Sequence, residues 1–180
     1  GEANATDQKN GDGYVEFKVN IPKAGKYTFW GRVFNTDDKS DSFWVTWLPV
    51  DSNKIPQQTD NKDYRWHTAP GSDSDQLYGK WVWVRANSWA EDLTARSRTW
   101  TFNEAGDTNL RIWAREDGTK LDAIYITSDL SNDIVHIPDL NLRVALEKAL
   151  GKNEGDAITK EDLAKLTELK YGGKEGAKIA

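Results

Sequence analysis

The chain of 180 residues predicts a mainly β protein, an antiparallel sandwich with a small helical segment at its C-terminal end. Three observations carry that reading. Short apolar/polar alternations repeat from Asp12 to Thr127, separated by turns rich in Gly and Asp. All nine tryptophans fall between Trp30 and Trp113, inside that region. After Asp133 the spacing of apolar residues changes from two to the three-and-four of a helix.

The elements follow in order. Val15, Phe17, Val19 and Ile21 alternate with Tyr14, Glu16, Lys18 and Asn20, the pattern of a half-buried strand. Pro22-Lys23-Ala24-Gly25 is a turn, and Tyr27, Phe29, Gly31 and Val33 then alternate with Thr28, Trp30, Arg32 and Phe34. Six further strands are expected at Asp41–Leu48, Tyr64–Thr68, Lys80–Arg85, Arg98–Phe102, Thr108–Arg115 and Leu121–Thr127. Eight short strands of this kind imply a sandwich. The polar stretch Pro49–Lys62 has no pattern and reads as an exposed loop. In the tail, Leu142, Ala145, Leu146, Ala149 and Leu150 form an apolar helical stripe stopped by Gly151, and Thr159 with Asp162 marks a second helix start. The chain therefore divides into a sandwich over 1–130 and a helical segment over 131–180.

Composition excludes several classes of function. A net charge of −5 argues against a nucleic-acid binder, which presents a basic face. No apolar run has the length of a membrane span. With no Cys there are no disulfides or thiolate metal sites. His67 and His136 lie in different regions and are expected on the surface or in loops, so no triad or multi-His metal site is expected. The pairs Glu91-Asp92 and Glu116-Asp117 read as solvated turn acids. Asp73-x-Asp75 fails the calcium-loop pattern, and Gly172–Gly176 is no phosphate loop. No catalytic residues are expected.

The tryptophans point to a ligand surface instead. Alternation puts Trp30, Trp44, Trp81, Trp83 and Trp113 on faces opposite the aliphatic core residues, with Arg32, Arg111 and Arg115 beside them. Trp66 and Trp89 read as loop residues able to line such a surface. Indole is flat, rigid and amphipathic, and suits stacking on the apolar face of a sugar.

The stretches Gly13–Tyr27 and Arg115–Asp129, with Asp41-Ser-Phe-Trp-Val45 and Trp81-Val-Trp83 between them, resemble galactose-binding-like jelly rolls that include carbohydrate-binding modules of families six and thirty-five. The likeness covers roughly Gly11 to Leu130. It implies an antiparallel jelly-roll β-sandwich and non-catalytic binding of polysaccharide by a larger exported or cell-surface protein. The turn Arg115–Lys120 carries two acids and two bases within six residues, a dense hydrogen-bonding set for hydroxyls, with Trp81, Trp83 and Trp89 as the candidate indoles beside it. By resemblance, Asp41 and this turn lie toward the binding edge, so the expected site is a loop-edge cleft built from Asp41, Trp81, Trp83, Trp89, Arg115, Asp117 and Lys120. No cofactor is implied beyond a structural calcium ion, for which Asp122 is the family's last-strand ligand. The family's opening acidic strand has no counterpart in the sequence, which leaves a chain cut at its front.

Ile137–Leu146 and Ala157–Leu169 resemble the helical cap before internalin-type leucine-rich repeats. This implies a parent protein with a repeat array beyond Ala180, and it supports the alternative function of a structural or adhesion module with a protein partner.

Overall fold

The computed structural model describes residues 13–52, 54, 62–70, 77–89, 95–131, 133–135, 137, 139–169 and 177–178. Pro49–Ser52 and Lys54 of the expected loop are among them; 53 and 55–61 are not, and neither are Asp73, Asp75, Glu91, Asp92, His136 or Gly172–Gly176. The chain forms two compact units, Gly1–Ser128 and Asp129–Ala180.

All eight strands legible in the sequence are present in the first unit. In one sheet, β9 (Gly106–Ala114) lies between β1 (Tyr14–Ile21) and β3 (Ser42–Leu48), and β4 (Arg65–His67) follows on β3. In the other, β2 (Gly25–Phe34) is central, flanked on one side by β10 (Lys120–Thr127). On its other side β5 (Trp81–Arg85) pairs with the second half of β2, and β8 (Trp100–Phe102) pairs with the first. The last long strands thus interleave with the first three, as in a jelly roll. A hairpin of β6 (Asn87–Trp89) and β7 (Ala95–Ser97) was not legible, because three-residue strands carry too little alternation.

Every named strand pairing is antiparallel, and alternation sends one set of side chains inward. Phe29 is at the centre, its ring 5.0 Å from Trp66, 5.7 Å from Trp100 and 6.4 Å from Trp47. Val33, Val45, Val82, Leu110 and Ile112 fill the space around these rings. Buried indoles need acceptors for their N–H groups. Trp47 donates to Thr108 Oγ1 at 2.9 Å, Trp66 to the Arg85 carbonyl at 3.1 Å and Trp100 to Asp51 Oδ2 at 2.7 Å. Trp66 is 1% exposed within β4, so the reading of it as a surface-lining loop residue is corrected.

Asp51 also departs from the expected exposed loop. It is buried, accepts the Trp47 backbone N–H at 2.8 Å, and pairs with Arg98 at 3.2 Å. Arg98 in turn lies over Tyr64 and Trp100, 4.6 and 4.5 Å from their ring centres. Burial lowers the Arg98 pKa, and Asp51 and Tyr64 oppose the shift.

In the second unit α1 (Leu140–Leu150) starts at Asp139, whose side chain accepts from Leu142 N. It ends at Gly151, where φ of 67° requires the left-handed region that glycine adopts readily. Thr159 and Asp162 form a reciprocal capping box at the start of α2 (Lys160–Ala164). Ile134, Leu146 and Ile158 are buried apolar residues of this unit. Glu147 is buried with them, paired with Arg143 at 2.9 Å and accepting the Gly155 N–H. Two short strands, β11 (Glu168–Leu169) and β12 (Ala177–Lys178), form an antiparallel ribbon. Among the described residues no helix is long and apolar enough to cross a membrane.

Candidate functional site

The outer face of the β10-β2-β5 sheet is built in three rows, set by strand register. Tyr125, Trp30 and Arg85 form one row; Ala123, Arg32 and Trp83 the next; Lys120, Phe34 and Trp81 the last. Each row therefore carries one cationic side chain beside one or two aromatic rings. Trp81 is the most open of its rings, 41% exposed, and meets Phe34 edge-on at 5.7 Å. The Arg32 guanidinium lies 5.4 Å from the Trp81 ring centre, and Lys120 Nζ lies 5.1 Å from that of Phe34. The register slips between Leu121 and Ala123, and the Asp122 carboxylate reaches Arg32 Nη1 at 2.7 Å. Asp122 is therefore an ion-pair partner here. No group of three or more His, Cys, Asp or Glu converges as metal ligands among the described residues.

The turn after β9 joins the two sheets at the same end of the sandwich. Its backbone is tied down: Ser40 Oγ donates to the Asp117 carbonyl at 2.6 Å and Thr36 Oγ1 to that of Gly118 at 2.9 Å. Glu116 Oε2 accepts from Asp41 N at 3.0 Å and Ser42 Oγ at 2.7 Å, while Arg115 pairs with Glu116 and donates to Ser42 Oγ. Asp117 itself is exposed.

A third cluster lies at the start of β3 and the end of β4, which pair through Ser42 and His67. The Asp41 carboxylate is buried, 3.1 Å from His67 Nε2, and accepts from the Tyr78 hydroxyl at 3.4 Å. The His67 ring packs 3.8 Å from Trp89, and the Arg65 guanidinium lies over both Trp89 and Trp44, at 5.4 and 5.3 Å. His67 is 8% exposed inside a strand, which corrects its expected surface position.

The seven sequence-predicted residues thus share one end of the sandwich but divide by side. Trp81, Trp83 and Lys120 share the outer face of the β10-β2-β5 sheet. Asp117 is in the turn. Asp41, Trp89 and Arg115 belong to the β3–β4 side, where Asp41 and Arg115 are engaged internally. Sequence reasoning missed Phe34, Arg65 and Tyr78. Phe34 was detectable, because it alternates with Trp30 and Arg32 on the outward side; the contacts of Arg65 and Tyr78 depend on tertiary pairing.

No protein-family model matches the chain, and no curated protein or solved structure matches it either.

Proposed function

We propose that the first unit is a non-catalytic carbohydrate-binding module of an exported or cell-surface protein, and that the outer face of the β10-β2-β5 sheet is its platform. One observation carries this reading: Trp81 presents an open indole between Arg32 and the Lys120–Phe34 pair. Such a surface offers an apolar face for the C–H side of a sugar ring and charged groups at its rim for the hydroxyls. Covering about 60–100 Å² of indole contributes about 1.5–2.5 kcal/mol at ~25 cal/mol/Å². After ordering costs, single-site affinities fall in the micromolar to millimolar range. In this reading Asp41 and Arg115 brace the turn from which Asp117 and Lys120 project. The His67–Asp41 pair is structural, its side chains 11% and 7% exposed beneath Trp89. The second unit is read as a cap through which a parent repeat array would continue.

The test is a glycan array followed by tryptophan-fluorescence titration of the best ligand. Binding that Trp81→Ala abolishes supports the platform. An array without a ligand, or a Trp81→Ala variant that binds as the parent does, overturns it.

A further inference from the structure

We propose that β1 is a dimerisation strand: two copies of the chain pair antiparallel, edge to edge, over Tyr14–Asn20 with Phe17 at the two-fold axis. The strand is terminal in its sheet, with β9 on one side and no strand on the other among the described residues. Its backbone polarity follows from the ladder. Ala114 N donates to the Gly13 carbonyl at 2.9 Å, so alternation turns the groups of Val15, Phe17 and Val19 toward β9. The N–H and C=O groups of Tyr14, Glu16, Lys18 and Asn20 face outward. The side chains on the core-facing side are also incompletely covered. Val15 is 46% exposed and Phe17 and Val19 are only partly buried, whereas Val45 and Ile112, further inside the same sheet, are 1% and 2% exposed.

What identifies the occupant is that Tyr-Val-Glu-Phe-Lys-Val-Asn is complementary to itself when reversed. Phe17 faces the partner's Phe17, Val15 faces the partner's Val19, and Glu16 faces the partner's Lys18. Tyr14 faces the partner's Asn20. The hydrogen-bonded pairs in this register are Glu16 with Lys18 and Tyr14 with Asn20, the residues whose backbone groups point outward. The valines and phenylalanines take the closer non-bonded positions, on the core side. A shift by two residues puts Glu16 against the partner's Glu16 or Lys18 against the partner's Lys18, and like charges directly opposite destabilise a strand pair. A shift by one turns the apolar residues outward. The charges that would guard an edge against indiscriminate pairing thus allow this one register.

The arrangement is isologous. Its two-fold axis runs normal to the shared sheet, so both β10-β2-β5 sheets fall on one side and their outer faces point the same way. An extended polymer would then meet two platforms at once, with the gain of bivalent binding. Dimerisation itself does not depend on the sugar reading. A pairing confined to the 8-residue β1 is a small interface, so the dimer belongs to the weak, concentration-dependent class.

The experiment is analytical ultracentrifugation of the 180-residue chain over a concentration series, with circular dichroism as the check on folding. The parent is expected to show a monomer–dimer equilibrium. Lys18→Glu and Glu16→Lys are each expected to raise the dissociation constant about tenfold or more, since symmetry creates two like-charge pairs. Mixed in equal amounts, the two variants regenerate a dimer, because each lysine again meets a glutamate. Glu16 also pairs with Arg111 at 2.6 Å, so Phe17→Cys supplies a second readout should Glu16→Lys fail to fold. In a chain without other cysteines it oxidises to a covalent dimer, whereas Val15→Cys, four positions away from its own copy, does not. A parent that stays monomeric at millimolar concentration overturns the proposal. So do single variants that dimerise as the parent does, or a Phe17→Cys chain that forms no covalent dimer.

Discussion

The two sheets treat their outward tryptophans differently. On the β1-β9-β3-β4 sheet, Trp44 and Trp113 face outward by alternation, yet they are only 4% and 6% exposed. Arg65 and Arg115 lie over Trp44, Tyr14 packs 4.4 Å from Trp113, and the Trp113 N–H is taken by Thr46 Oγ1. On the β10-β2-β5 sheet, Trp81 has a cation beside it as well, but it keeps 41% of its surface. The same local pattern therefore yields a sealed ring in one sheet and an open one in the other. Two guanidinium groups lie over Trp44, whereas Trp81 is flanked by Arg32 and meets Phe34 only edge-on.

The largest loss is expected where a charge pair beside the core indoles is broken. Asp51 holds Arg98 over Trp100 and accepts the Trp100 indole N–H. Asp51→Ala strands a buried guanidinium and a buried N–H together and is expected to cost about 3–5 kcal/mol. Chemical denaturation would measure it; a loss within experimental error would mean that water replaces the carboxylate. Trp44→Ala tests the sealed outer face directly. It empties an indole-sized space beneath two arginines and is expected to cost about 3–5 kcal/mol, with glycan binding by the folded fraction unchanged.

These cases also show how far the sequence could be read. Period-two alternation located all eight long or well-bounded strands and put Trp81 and Trp83 on one outward face, because that information is local. Coverage is not local. His67 looked like a lone surface histidine, and only the β3–β4 pairing brings it to Asp41. Asp51 belonged to a polar stretch without pattern, and its burial follows from a turn that returns its N–H to the Trp47 carbonyl at 2.9 Å. Likewise, Asp41 and Arg115 were legible as residues of one end of the sandwich, but not as residues occupied by His67, Ser42 and Glu116.

Gly31 sharpens the comparison from inside the open sheet. It lies on the inner side of β2, and a Cβ there would fall 2.2 Å from Cη2 of Trp66, whose ring is fixed by its N–H bond to Arg85. Gly31→Ala is expected to cost about 1–3 kcal/mol by overpacking. The thermal midpoint would report it, and a neutral result would show that Trp66 has room to shift.

A smaller effect comes from the second unit. Burial alone would raise the Asp162 pKa, but hydrogen bonds from Thr159 and Lys152 together lower it below the ordinary aspartate value. A carboxylate whose folded pKa is depressed stabilises the fold above its unfolded pKa, and the contribution fades as pH falls through the folded value. Asp162→Asn should therefore cost ~0.3–1 kcal/mol at neutral pH and nothing in strong acid. The far-UV helix signal during thermal melts at the two pH values would show it; an equal cost at both would remove the charge from the explanation.

The smallest stability change is expected at Trp81, and it bears most directly on the difference between the sheets. The ring covers part of Phe34 and Arg32 but leaves much of its own surface in water, so Trp81→Ala should shift stability by only about 0.5 kcal/mol or less. Arg32 keeps its pairing with Asp122 at 2.7 Å in the absence of the indole, so no buried charge is left alone. Trp44→Ala and Trp81→Ala, measured side by side in the same denaturation experiment, give two numbers for one residue type on two outward faces. A cost at Trp81 as large as that at Trp44 would mean that the indole is part of the structural packing, and the proposed platform would lose its central ring. A small cost at Trp81 together with lost glycan binding would separate the two roles, because a ring that contributes little to folding and much to affinity is one whose open face is used by a ligand.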